Sequence, residues 1–231
     1  MPRVIAFDVN ETLLDLKAMD AQFERVFRTA GVRQEWFKQV LQSALLTTIL
    51  DAYADFGAVG AAALEMAAAV HDVPLTEDDR KAILRAMREL PPHPEAPDSL
   101  RRLHEAGLRL CALTNSTQAV AEAQLEHAGL ARHFERILSV DTVRRLKPHA
   151  AVYQMAAREC GVEPGGLRLV AVHSWDIAGA LRAGCAAAFV ARPGMVLDPL
   201  FGQPDIVAAD LAAVADLILW GEGSGKPVSR G

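Results

Sequence analysis

Val4-Ile5-Ala6-Phe7-Asp8-Val9-Asn10-Glu11-Thr12-Leu13-Leu14-Asp15 is an apolar run that ends on a carboxylate. Four apolar residues in succession predict a strand buried on both faces. Asp8 breaks the run. A carboxylate at the end of a buried parallel strand lies where open α/β sheets hold their ligand crevice. Asn10 and Thr12 follow at alternate positions, with Glu11 between them. Taken alone, the same residues also describe a strand ending in a turn that Asp8 caps. The rest of the chain decides between the two.

Beyond Leu14 the period changes. Residues 15–91 carry helical spacing and no convincing strand, as in Phe23/Val26/Phe27 and Trp36/Val40/Leu41, a face that Leu45, Leu46 and Ile49 continue. Gly57 to Val70 is alanine-rich. Thr76-Glu77-Asp78-Asp79 predicts an N-cap with acids in the first turn of a helix ending at Pro91-Pro92. About four helices are thus expected between the first strand and the second. From Pro97 onward, helices alternate with apolar runs. Strands are predicted at Leu108–Leu113, Arg136–Val140, Leu167–Val172 and Ala187–Val190, with a short one at Ile206-Val207. Such alternation implies right-handed βαβ units, a Rossmann-like parallel sheet flanked by helices. Asp8, Thr114, Asn115, Lys147 and the segment His173–Asp176 all follow strands, so one edge of the sheet collects them. A last helix is expected over Leu211–Leu219, then a flexible tail over 222–231.

The 231 residues are 51% hydrophobic, enough for a sizeable core, and the net charge of -5 argues against a nucleic-acid partner. Cys111, Cys160 and Cys185 are too widely spaced for a metal knuckle or a disulfide framework. No apolar run is long enough for a membrane span, and the chain enters a strand without a basic-then-apolar leader. The expectation is a cytoplasmic protein.

The whole pattern resembles the haloacid dehalogenase superfamily. Asp8 and Thr12 match its first motif, Thr114-Asn115 its second, Lys147 before Pro148 its third, and Val172-His173-Ser174-Trp175-Asp176 lies where its fourth belongs. The resemblance implies a core of residues 1–14 and 92–221 with a helical cap over 15–91. Superfamily phosphatases carry a general-acid aspartate two residues after the nucleophile, where this chain has Asn10. Their magnesium-binding acid of motif four falls here on Val172, and a valine offers no oxygen to a hard cation. Neither a metal nor a cofactor is therefore expected. The chain is most similar to the metal-free L-2-haloacid dehalogenases, through Trp175-Asp176, Lys147-Pro148 with Tyr153, Tyr53-Ala54-Asp55-Phe56 and Ser139-Val140-Asp141.

That resemblance implies hydrolysis of short 2-haloacids through an ester on Asp8. Lys147 would keep Asp8 ionised. Asp176 would pair with Lys147 and help orient water. Thr12, Thr114 and Asn115 would hold the substrate carboxylate or the ester oxyanion, and Asn10 would border the substrate. A homodimer is a further implication. Two positions depart from the family. Its halogen-contacting cap arginine is Phe37 here, with Arg33 and Lys38 nearby; Phe37 is either cap packing or an apolar pocket wall. Its motif-four asparagine is His173, which is either hydrogen-bonded structure or, with Trp175, a donor to a small halide or a holder of the hydrolytic water. A phosphate-ester hydrolase and an inactive binding scaffold are the alternatives.

Overall fold

A computed structural model of the chain describes Pro2 and residues 4–224. Among these, six parallel strands form one sheet in the order β3-β2-β1-β4-β5-β6. They are β1 (Val4–Phe7), β2 (Arg109–Thr114), β3 (Arg136–Ser139), β4 (Leu167–Ala171), β5 (Ala186–Val190) and β6 (Ile206–Ala208). β1 is central. Phe7 registers with Ala112 on one side and Val170 on the other. All four residues of β1 are buried, so both sheet faces are covered. Burial of side chains such as Ile5 and Phe7 stabilises the fold by about 1.5–3 kcal/mol each.

The segment between β1 and the second half of the chain is helical: α1 (Asp20–Phe27), α2 (Val32–Ile49), α3 (Phe56–Val70) and α4 (Glu77–Ala86). The chain enters and leaves this block side by side. Asp15 N–H donates to Pro91 O at 2.9 Å, and His93 N–H donates to Leu13 O at 2.8 Å. Phe23, Trp36 and Val40 form the buried seam, and Trp36 Nε1 donates to Gly60 O at 2.9 Å. Thr76 caps α4 and Asp55 caps α3. The buried face of α2 stops earlier than its periodicity predicts. Leu46 is half exposed and Ile49 is 74% exposed; beside them Thr48 Oγ1 donates to Leu146 O in the loop after β3.

The remaining helices are α5 (Ala96–Glu105), α6 (Gln118–His127), α7 (Ala150–Glu159), α8 (Ser174–Arg182) and α9 (Leu211–Ser224). α8 has His173 as its N-cap, so Asp176 lies in its first turn. α9 runs through Ser224, past the predicted start of the tail; residues 225–231 lie outside the described residues. His133 is buried against His104. No helix among the described residues is long and apolar enough to cross a membrane.

Candidate active site

Asp8 follows β1, and its backbone N–H donates to Val170 O of β4 at 3.0 Å. This pins the carboxylate at the sheet edge between the ends of the two strands. Thr12 turns back one helical step later and donates its hydroxyl to Asp8 Oδ2 at 2.7 Å. The same hydroxyl oxygen accepts from Val172 N–H at 3.2 Å. Lys147 arrives from the loop after β3, where its backbone N–H donates to Asn115 Oδ1 at 2.9 Å. Its ammonium donates to Asp8 Oδ1 at 3.0 Å and to Asp176 Oδ2 at 2.8 Å. Asp176 Oδ1 accepts from Tyr153 Oη at 2.5 Å. Lys147 is thus a buried cation between two buried carboxylates, the condition under which such a charge is tolerated.

Burial pushes Asp8 upward, but the Lys147 ammonium, then His173 and Thr12, outweigh it and hold the carboxyl well below the usual carboxylate range. Burial likewise opposes the charge on Lys147, and Asp176 and Asp8 overcome it and raise its pKa. The pair is therefore ionised: a carboxylate beside a fixed cation.

Gly179 lets α8 approach closely enough to complete this arrangement. A Cβ there would lie 2.6 Å from Tyr153 Oη and 2.6 Å from Pro148 Cβ.

Residues 2–184 match the haloacid dehalogenase-like hydrolase family. The chain belongs to that family. It is 30% identical over 215 residues to the (S)-2-haloacid dehalogenase of Pseudomonas sp. (strain YL), covering 92% of this chain and 93% of that protein. It is 27% identical to haloacetate dehalogenase H-2 of Moraxella sp. (strain B), with 93% and 96% of the two chains covered. The structure of the L-2-haloacid dehalogenase from Xanthobacter autotrophicus with chloropropionic acid covalently bound superposes with a TM-score of 0.89 at 26% identity, covering 94% of this chain and 98% of that one.

Two motifs noted for this dehalogenase resemblance meet across the fold. Tyr53, in the helical block, donates its hydroxyl to Asp141, which follows β3. A cavity of about 520 Å³ lies between the helical block and the sheet edge, bordered by Phe37, Arg33, Lys38, His173, Glu11 and Arg192. Phe37 is both things the sequence allowed: it is buried against Trp36 and also forms cavity wall, 6.4 Å from the His173 ring. His173 links Asp8 to the cavity. Its Nδ1 is 3.3 Å from Asp8 Oδ2 and its Nε2 is 2.9 Å from Glu11 Oε2. Trp175 stacks on its ring at 4.9 Å.

Other predicted residues point elsewhere. Asn10 accepts from Gln124 Nε2 at 3.1 Å and donates to Ser116 Oγ at 3.4 Å, away from Asp8. Thr114 Oγ1 accepts the Ser116 N–H at 3.1 Å and shapes the turn after β2. Sequence reasoning gave no role to Glu11, and none beyond position to Arg192. Arg192 donates to Thr12 O at 2.9 Å and pairs with Glu95 at 2.6 Å. Neither carried a signal, since both act through side-chain direction.

Proposed function

We propose that this protein hydrolyses the carbon–halogen bond of short 2-haloacids, haloacetates and 2-halopropionates, through an ester on Asp8 and without a metal. The observation that carries the reading is the Asp8–Lys147 pair: an ionised carboxylate fixed at 3.0 Å from a buried ammonium. An Asp8 oxygen attacks the carbon that bears the halogen, the new C–O bond takes the oxygen lone pair, and the halide leaves with the C–X pair. Water then adds to the Asp8 carboxyl carbon, and the 2-hydroxy acid departs. Lys147 stabilises the oxyanion of that second step. The halide needs no proton to leave, which suits Asn10 where a phosphatase needs an acid.

The relatives support the substrate class: two are named for 2-haloacids and haloacetate, and the Xanthobacter enzyme holds chloropropionic acid covalently. The cavity also suits an acid. Lys17, Arg33, Lys38 and Arg192 border it, and cations lining a cleft raise the local concentration of an anion. Asn115 contributes its amide nitrogen to the substrate carboxylate. We read residues 15–91 as a cap over a core of 1–14 and 92–221, with Phe37 as the apolar wall against which the halogen-bearing carbon rests.

Halide release from chloroacetate, fluoroacetate and 2-chloropropionate, in EDTA, tests the reading. Release that survives EDTA and vanishes in Asp8→Asn is expected. Release that needs magnesium, or that persists in Asp8→Asn, overturns it.

A further inference from the structure

The loop that delivers Lys147 to the site follows β3, and the helical block holds it at both ends. At its start, Tyr53, in the turn between α2 and α3, donates its hydroxyl to Asp141. At its end, Thr48 Oγ1, in the last turn of α2, donates to Leu146 O at 3.4 Å, one residue before Lys147. Between these points Arg145 pairs with Asp51, and the Arg144 guanidinium stands over the Tyr53 ring, 4.7 Å from its centre. Arg144 takes a φ of +49°, uncommon for a residue other than glycine. Its N–H donates to Asp141 O at 3.2 Å, and its carbonyl accepts from Arg145 Nη1 at 2.9 Å, which fixes that turn.

These contacts differ in weight. Asp51 is largely exposed, and an ion pair in water contributes little. The Tyr53–Asp141 bond is partly buried and has a charged acceptor, which makes it the stronger hold. Burial and the Asp141 carboxylate both push the pKa of the Tyr53 hydroxyl up, so the phenol keeps its proton and stays a donor. Arg144 over the ring adds a cation–π contact.

Lys147 has a second support. Its backbone N–H donates to Asn115 Oδ1 at 2.9 Å, on the side of the sheet. The core thus holds it from one side, and the helical block, through Leu146, from the other. Its ammonium must stay within reach of Asp8 and Asp176, at 3.0 and 2.8 Å. It is buried, with no solvent to replace a partner it loses. Displacing such a group by about 1 Å can cost about 10²-fold in rate.

We propose that Tyr53 and Thr48 are positioning residues for the reaction: by clamping the two ends of the loop over 141–146, they set the backbone from which Lys147 reaches Asp8. This rests on the reading of Lys147 as the cation that keeps Asp8 ionised and stabilises the oxyanion. The same helical block walls the cavity. Seating the block over the cavity and aligning the lysine are therefore one event, and a block that lifts away loosens the cation beside Asp8.

Amide hydrogen exchange and halide release from chloroacetate, measured on the same preparations, test this. The proteins are wild type, Tyr53→Phe, Thr48→Val, Asp141→Leu and Asp141→Asn. Arg25→Ala is the control, since it loses an ion pair to Asp79 inside the helical block. Tyr53→Phe and Asp141→Leu are expected to speed exchange over 142–147 by about 5–10-fold, the worth of one hydrogen bond, with α2 and α3 unchanged. In both, kcat should fall roughly tenfold with little change in KM. Asp141→Asn keeps an acceptor for Tyr53 and should retain most of the wild-type rate. Thr48→Val should show a smaller effect in the same direction. The double variant Tyr53→Phe/Asp141→Leu should be no worse than either single one, and Arg25→Ala should match wild type in the loop and in kcat. Unchanged loop exchange in Tyr53→Phe and Asp141→Leu overturns the proposal. So does a loosened loop with wild-type kcat, or faster exchange spread through α2 and α3, which would make Tyr53 a packing residue of the block. A wild type that releases no halide removes the reading of Asp8 and Lys147 as the reacting pair. Faster loop exchange in Tyr53→Phe would then still support the clamp on Lys147, and unchanged exchange would overturn it.

Discussion

Asp8 and Lys147 lie 139 positions apart in the chain and 3.0 Å apart in the site. The contact spans the two strand ends that the order β3-β2-β1 brings to one edge. Lys147 also bonds Asp176 from α8, so one ammonium joins three segments of the fold.

Replacing Lys147 by Met is expected to cost stability and activity together. It leaves Asp8 and Asp176 as buried carboxylates without their cation, a loss of about 3–5 kcal/mol. Halide release should fall by roughly 10²-fold or more, because the group beside the developing oxyanion is gone. Urea denaturation and a halide assay on the same preparation check both. A variant as stable as wild type would show that the pair contributes little.

His173 makes stability depend on pH at the alkaline side. Burial pulls its ring toward neutrality, but the hydrogen bonds and charges of Asp8 and Glu11 prevail and push its pKa up to about 9 from 6.5. A raised folded pKa contributes stability that is fully present below pH 6.5 and is lost as pH rises through about 9. At about 1.4 kcal/mol per tenfold, the contribution is roughly 3 kcal/mol at most. Urea midpoints at pH 6 and pH 9.5 should differ in wild type and differ much less in His173→Gln. Asp8 acts at the opposite end. Its depressed pKa contributes stability above the ordinary 3.8 that is lost as pH falls below it.

The turn at Glu11 predicts an order between two variants. Glu11→Gly and Glu11→Ala both remove the carboxylate from His173, so they differ only in backbone preference at φ +64°. Glycine should be the more stable by about 1 kcal/mol. Equal midpoints in thermal or urea unfolding would contradict the strain.

Gly179→Ala is expected to harm the site from outside it. The added methyl meets Tyr153 Oη and Pro148 Cβ at 2.6 Å, and Pro148 O at 2.8 Å. Overpacking of this kind costs about 1–3 kcal/mol. It also pushes α8, and with it Asp176, away from Lys147. Halide release should fall with little change in the overall circular dichroism spectrum.

The sheet and the clustering of Asp8, Thr12, Lys147 and Asp176 were legible in sequence for one reason. Each follows an apolar run in an alternating strand–helix pattern, and parallel strands place such residues on a common edge. Side-chain direction was not legible. Asn10, two residues past Asp8, turns toward Gln124 and Ser116, and Trp175 serves as a stacking surface for His173. Glu11 was invisible because nothing in its residue type encodes a left-handed turn. The exposed end of α2 was misjudged for a related cause: periodicity identifies a face, while burial depends on whether another element covers it. Leu46 and Ile49 have the face without the cover.

One measurement bears directly on the ester at Asp8: a single turnover of chloroacetate, enzyme in excess, in water enriched in oxygen-18. Water that attacks the Asp8 carboxyl carbon leaves its label in the aspartate, so the heavy oxygen should appear in the peptide carrying Asp8 and the glycolate should be unlabelled. Labelled glycolate with an unlabelled Asp8 peptide would mean that water displaces the halide directly, and would contradict the account.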